Sequence, residues 1–270
     1  MTNLNLYLID CRSNMHVGSG DSNYGVIDKQ IQRDVTDKLP CIYASSLKGA
    51  FREFFEEKLK NKTLADTIFG EGKNKSSKGV TKGSHIFDQA MLFSLPVRSN
   101  LRPFFNATAP MVAEKLLERI RLSNKQTTNQ FVLALTELKN IEVSKGTPLA
   151  VNFEPENLQL EEYETVIKTD KQLSGLCSYL GQSFVIVSDA DFLEITDDYH
   201  LPVIARNKLD NGESKNLWYE QVLPRETKLT FFVDYAIDNT FHANVNNSLL
   251  QIGGGSTIGY GYTKITNIQL

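Results

Sequence analysis

A chain of 270 residues with 41% hydrophobic and 23% charged content is long enough to bury a substantial core, as one elaborated domain or two small ones. Its 29 Lys and Arg against 32 Asp and Glu give a formal net charge of −3, which excludes a uniformly basic nucleic-acid binder but leaves room for a local basic lining. Met1-Thr2-Asn3-Leu4 has no basic stretch ahead of an apolar run, and no apolar segment is long enough to cross a bilayer, so a cytoplasmic protein is expected.

Residues 4–9, Leu-Asn-Leu-Tyr-Leu-Ile, have strand character, and the next thirty are rich in Gly, Ser, Asn and Asp without helical periodicity. A long loop is therefore expected after the first strand. Ser45 and Ser46 are expected to cap a helix whose apolar face carries Leu47, Phe51, Phe54, Phe55 and Leu59, with Lys58, Lys60 and Lys62 at the negative end of its dipole. Residues 72–83 hold Lys73, Lys75, Lys78 and Lys82 with no acid among Gly, Ser, Asn and Thr, the composition of a basic loop. Residues 86–97 read as one or two strands, and Pro110 at a first helical position leads Val112, Leu116, Leu117 and Ile120 into a second helix. A third carries Leu173, Leu176, Cys177 and Leu180, and residues 183–187 and 229–233 are again strand-like. Between those strands, Asp210-Asn211-Gly212 signals a hairpin turn within a polar stretch, so residues 194–224 are read as a protruding hairpin. The three cysteines, Cys11, Cys41 and Cys177, are far apart and form no CxxC pair, which argues against a disulfide framework or a zinc site. No internal repeat divides the chain, and the strand and helix order points to an α+β fold of ferredoxin type.

Four places have residues that can carry chemistry. The loop His16-Val17-Gly18-Ser19-Gly20-Asp21-Ser22-Asn23-Tyr24-Gly25-Val26-Ile27-Asp28 lets backbone N–H groups approach a ligand, although it matches neither a Walker motif nor a dinucleotide fingerprint and reads equally as a surface loop. Asp28 can serve as a general base, hold a hydrated Mg²⁺, or simply cap a turn, and His16 can catalyse or pack. Ser45-Ser46-Leu47-Lys48-Gly49 offers free N–H donors, two hydroxyls and an ammonium to an anion, or is a capped helix with a solvated lysine. The run Ile252-Gly253-Gly254-Gly255-Ser256-Thr257-Ile258-Gly259-Tyr260-Gly261, ahead of strand-like residues 262–268, fits a close backbone approach or a glycine-rich turn.

Taken together these pieces resemble the RAMP superfamily of CRISPR proteins, on the glycine loop 253–261, and within it the backbone subunits of type III-B (Cmr) effector complexes. The matching segments run in order along almost the whole chain: His16-Val17-Gly18-Ser19-Gly20, Gly25-Val26-Ile27-Asp28, Gln30-Ile31-Gln32-Arg33, Ser45-Ser46-Leu47-Lys48-Gly49, Ile68-Phe69-Gly70, Leu95-Pro96-Val97-Arg98-Ser99, Leu217-Trp218-Tyr219-Glu220 and Gln251-Ile252-Gly253-Gly254. Type III-A backbone subunits share several of them, and the Pro-Val-Arg-Ser and Leu-Trp-Tyr-Glu segments favour III-B. Ala44 departs from the pattern, since many relatives carry glycine before the serines.

The resemblance implies a single domain over residues 1–270, a modified RRM or ferredoxin-like palm with finger loops and a thumb hairpin at about 194–224. Copies would polymerise along a crRNA guide beside other Cmr subunits. The thumb would displace a base of the guide–target duplex at regular intervals, and Asp28 would cut the exposed target strand with Mg²⁺ or another divalent ion. His16 and Glu220 would lie near the cut. Ser45, Ser46, Lys48, Arg52 and Arg98 would meet the guide, with Gly253, Gly254 and Gly255 following its backbone. The competing readings are a guide-binding scaffold without nuclease activity and a stand-alone nuclease or crRNA-processing enzyme.

Overall fold

The computed structural model describes residues 3–21, 25–71, 81–123, 129–153, 158–161, 167–168, 173–235 and 239–270. Ser22, Asn23 and Tyr24, and Lys73, Lys75 and Lys78 of the basic loop, lie outside them. The core is a mixed sheet around four strands: β1 (Asn3–Cys11), β2 (Ala90–Val97), β3 (Lys228–Tyr235) and β4 (Tyr262–Ile268). Their spatial order is β4-β1-β3-β2, with every neighbouring pair antiparallel. Helix α1 (Ala44–Glu53) follows β1, and α2 (Thr240–Val245) lies between β3 and β4, so the connectivity is that of a split β-α-β unit of ferredoxin type. Past β2 the sheet continues through Phe105–Thr108, Phe184–Ile186, Leu149–Val151 and Ile167–Lys168; past β4 it ends on Leu249–Gln251.

Both faces of the sheet are buried, which is why β1 reads as a nearly continuous apolar run rather than a clean alternation. One face presents Tyr7, paired in register with Phe231 and stacked on it at 5.3 Å, and receives α1 and α2. Phe241 of α2 is the hub there, with Phe51 at 5.2 Å, Phe87 at 5.3 Å and Tyr7 at 5.8 Å, all edge-on. The other face presents Leu6 and Phe232, also paired in register, and Arg119 of the helix Pro110–Leu122 lies over the Phe232 ring.

Several expectations need correcting. Helix α1 begins two residues earlier than a Ser45 cap would give, with Tyr43 at the N-cap and no side-chain cap, so Ser45 and Ser46 sit inside its first turn. Its end passes into a π-wound turn, Phe54–Lys58, in which the Leu59 N–H reaches back to the Phe54 carbonyl; this places two successive phenylalanines in the core. The stretch after β1 contains two short strands, Gly18–Asp21 and Lys29–Ile31. The hairpin proper is Val203–Asp210 and Glu213–Gln221, while Glu194 belongs to a separate helix, Asp189–Ile195. Asn211 and Gly212 both have positive φ, the geometry of the tight turn that the Asp-Asn-Gly sequence announces. Helices Lys62–Phe69 and Gln130–Lys139 had no counterpart in the sequence reading.

The three cysteines are free and buried. Burial pushes the Cys41 thiol up to about 12 and raises that of Cys11 as well, the latter with help from neighbouring Asp10. Neither is a reactive thiolate. Among the described residues, no helix is long and apolar enough to cross a membrane.

The aromatic hub yields a stability prediction. Phe241→Ala removes a fully buried ring with several edge contacts and is expected to cost about 3–5 kcal/mol, read from urea unfolding at equilibrium.

Candidate nucleic-acid interface and cleavage site

The segment that leaves β1 is held from two sides. Met15 exchanges both main-chain hydrogen bonds with Leu223 at the root of the hairpin, at 2.9 and 2.8 Å. On the other side, the Gly254 N–H donates to the His16 carbonyl at 2.9 Å and the Gly261 N–H to the Asn14 carbonyl at 2.8 Å. The glycine run therefore lies directly against the His16 segment, as the close-approach reading required. Gly253, at φ +87°, sits so close that a Cβ would lie 2.3 Å from the His16 carbonyl oxygen. Gly255 also needs positive φ, and residues 253–258 are exposed.

His16 is itself buried. Its Nδ1 donates to the Gln221 carbonyl at 2.7 Å, which places a proton on that nitrogen because a carbonyl only accepts; its Nε2 lies 3.7 Å from Glu220 Oε1. Glu220 is buried too, and its other oxygen accepts from Arg206 Nη1 at 3.0 Å. Arg206 and Lys29 each place a cation 5.5 Å from the Trp218 ring, so the first turn of the hairpin root is stiffened by cation–π contacts.

Asp28 differs in being exposed. It precedes the short strand Lys29–Ile31, and its Oδ2 accepts from the Tyr219 N–H at 2.7 Å; Oδ1 takes no hydrogen bond from the described residues. Glu220 pairs with Lys29 in the parallel contact between the two strands. Of the three residues expected around a cut, one thus presents an oxygen to solvent while the other two form a buried pair behind it.

The N-terminal turn of α1 joins the same network through Gln32, a buried residue that the sequence reading overlooked. Its Nε2 donates to the Gly18 carbonyl at 3.1 Å and to Ser46 Oγ at 2.9 Å, while its Oε1 accepts from the Tyr43 N–H. Ser45 is exposed, and Lys48 is half-buried and forms no ion pair among the described residues. The free N–H groups, the hydroxyl and the unpaired ammonium remain suited to an anion.

Two residues expected at the guide also hold ion pairs within the chain. Arg52 is committed to Glu56 at 2.9 Å, to Asp66 and to the Gly70 carbonyl, tying α1 to the helix Lys62–Phe69. Arg98 is bonded to both carboxylate oxygens of Glu161, although its side chain is 86% exposed. Gln32, Gln221, Asp198, Arg33 and Arg206 were missed because a buried amide or ion pair leaves no periodic trace; the only signal was that Gln32 and Arg33 fall within the segment Gln30-Ile31-Gln32-Arg33.

A metal ion has one candidate carboxylate here. No cluster of three or more His, Cys, Asp or Glu side chains poised for a metal occurs among the described residues. The free oxygen of Asp28 nevertheless fits a hydrated Mg²⁺, which keeps several waters and is typically bound by one or two carboxylates plus substrate phosphates.

With this geometry in hand, the comparisons are specific. The RAMP superfamily model matches residues 8–264. The chain belongs to the RAMP superfamily. It is 26% identical over 280 residues to the CRISPR system Cmr endoribonuclease Cmr4 of Pyrococcus furiosus, covering 93% of this chain and 91% of that protein. Its fold matches a chain of the type III-B Cmr-beta complex in the apo state (TM-score 0.79) and in the complex bound to cognate target RNA (0.77), each at 21% identity with 98% of this chain and 97% of that chain covered. The oligomeric Cmr4 of Pyrococcus furiosus matches with a TM-score of 0.73 at 21% identity over 99% of this chain and 98% of that chain. The four-stranded sheet β4-β1-β3-β2 lies within the matched residues, as do the hairpin and the glycine run.

Two substitutions separate scaffold from surface. Gly253→Ala is expected to part the glycine run from the His16 segment, lowering stability by about 1–2 kcal/mol or more and exposing the Gly254 amide to faster hydrogen exchange. Arg52→Ala is expected to cost about 1–3 kcal/mol of stability, seen in denaturant unfolding, with no change in affinity for single-stranded RNA.

Proposed function

We propose that the chain is the repeating guide-binding subunit of a type III-B CRISPR effector complex and that it cleaves target RNA paired to the guide, once per copy, through Asp28. The observation that carries the reading is the exposed Asp28 carboxylate, anchored by one oxygen to the root of the hairpin and open at the other. The family membership and the whole-length likeness to a Cmr endoribonuclease support it. The partners are a crRNA guide, the complementary target RNA, further copies of the chain and the other Cmr subunits, in the cytoplasm.

The chemistry asks little of the protein, because RNA supplies its own nucleophile in the 2′-hydroxyl. The hairpin displaces a base and so lets the 2′-oxygen line up with its phosphate, and Asp28 takes the hydroxyl proton as the oxygen attacks. The attack breaks the bond to the 5′-oxygen, which takes a proton from water and leaves as a 5′-hydroxyl, and the other product ends in a 2′,3′-cyclic phosphate. A divalent ion held by Asp28 and its waters would supply charge neutralisation at the phosphate. His16 and Glu220, both buried, position the loop and the hairpin root rather than touch RNA. Guide phosphates are received at the first turn of α1, by Lys48 with Ser45 and Ser46, and along the exposed glycines 253–255.

The deciding experiment is cleavage of labelled complementary RNA by the guide-loaded complex. Asp28→Asn is expected to slow regularly spaced cleavage by about 10²–10⁴-fold while guide and target binding persist, and EDTA to abolish it in the wild type. Unchanged products in the variant would leave the chain a guide-binding scaffold.

A further inference from the structure

The contact that places Asp28 is weakly supported by main-chain pairing. Strand Lys29–Ile31 meets the hairpin through a single parallel residue pair, Glu220 with Lys29, and its other edge meets Gly18–Asp21 across an irregular register. So short a ladder does not by itself fix register, and a slip of one residue would turn Glu220 away from His16 and move the Tyr219 N–H off Asp28.

We propose that Gln221 and Asp198 form a positioning clamp that fixes this register, so that the rate of cleavage depends on the orientation of one buried carboxamide. The inference rests on Asp28 being the cleaving residue. Gln221 is fully buried, and its Oε1 accepts from the Ile31 N–H at 3.2 Å, standing in for the ladder bond that the short strand lacks. Its Nε2 donates to the Asp198 carbonyl and to Asp198 Oδ1, at 3.3 and 3.2 Å. A reversed amide would face donor with donor and acceptor with acceptor, so Asp198 selects the orientation that holds Ile31. Asp198 is itself held by Arg33 Nε at 2.8 Å and Gln30 Nε2 at 3.4 Å, both from the segment that follows Asp28. Arg33 also reaches the Thr196 and Lys38 carbonyls, at 2.7 and 2.8 Å. The main-chain carbonyl of Gln221 meanwhile takes the His16 Nδ1 proton. Three consecutive residues thus serve the site: Tyr219 through its amide, Glu220 through its carboxylate, and Gln221 by keeping both in register.

The test uses the assembled, guide-loaded complex, with single-turnover cleavage at saturating target and target affinity measured separately in EDTA. Gln221→Leu keeps the volume and removes the amide; it is expected to slow cleavage by about 10²-fold with target affinity unchanged. Gln221→Glu sets two carboxylates side by side and is expected to slow cleavage comparably. As the pH falls and the introduced carboxyl takes up a proton, its O–H donates to Asp198 while its other oxygen accepts from the Ile31 N–H, so the rate of Gln221→Glu relative to wild type at the same pH is expected to rise, which a merely structural role would not do. Combining Gln221→Leu with Asp28→Asn should be no slower than Asp28→Asn alone. A wild-type rate for Gln221→Leu, a Gln221→Glu rate whose ratio to wild type does not change with pH, or a loss of target affinity that tracks the loss of rate overturns the clamp while Asp28→Asn still slows cleavage. Wild-type cleavage by Asp28→Asn overturns the Asp28 assignment, and the clamp with it.

Discussion

The architecture of the site depends on the few residues that bridge β1 to the short strand Gly18–Asp21. This segment pairs with Leu223 at the hairpin root on one side and with Gly254 and Gly261 of the glycine run on the other. Main-chain hydrogen bonds are strong and obligatory once buried, so three distant parts of the chain are brought to one place without help from side-chain chemistry. His16 then closes the arrangement from within, bonding to the hairpin through one ring nitrogen and facing Glu220 with the other. Glycine is required at 253 for a steric reason, because the carbonyl it passes leaves no room for a Cβ.

A division of labour follows between buried and exposed groups. His16, Glu220, Gln32 and Gln221 are buried and satisfied by one another or by the backbone, which makes them a rigid support. Asp28 and the glycine run lie outside that support, where a polymer can reach them. Sites built this way hold their reactive group by packing and hydrogen bonding behind it, and a catalytic gain of a few powers of ten depends on that placement being kept. The same economy explains how a chain with net charge −3 can serve an anionic partner. Arg52, Arg33 and Arg206 are paired with carboxylates of the same chain, as is the exposed Arg98, and at the first turn of α1 the helix N–H groups and Lys48 supply positive character.

Much of the fold was legible in the sequence because it is written in periodicity and punctuation. Apolar spacing marked α1 and the helix opened by Pro110, strand-forming composition marked β1 and β3, and Asp210-Asn211-Gly212 marked the turn of the hairpin. The N-cap of α1 was misplaced because serine's preference for that position is only a tendency; Gln32 engages the Tyr43 N–H and the Ser46 hydroxyl without capping the helix. The helix Gln130–Lys139 escaped notice because its apolar residues are too dense to show a clear face. The candidate site was legible as motifs, and the resemblance pointed to Asp28, but spacing along the chain gives no measure of which charged groups meet.

What the sequence determined by itself was therefore local or cumulative: the elements, the turn chemistry, the glycines that allow close approach, and an ordered set of segments specific enough to indicate the family. What only the tertiary structure decided was partnership. It paired Arg52 with Asp66 and the exposed Arg98 with Glu161, buried His16 with Glu220, left Asp28 exposed against the Tyr219 amide, and made Gln221 the link between hairpin and loop. The physical reason is that hydrogen bonds and ion pairs form between groups separated here by 205 positions, as in His16 with Gln221, or by 261, as in Leu6 with Asn267, and their distances are set by the packing of the whole sheet rather than by any local rule.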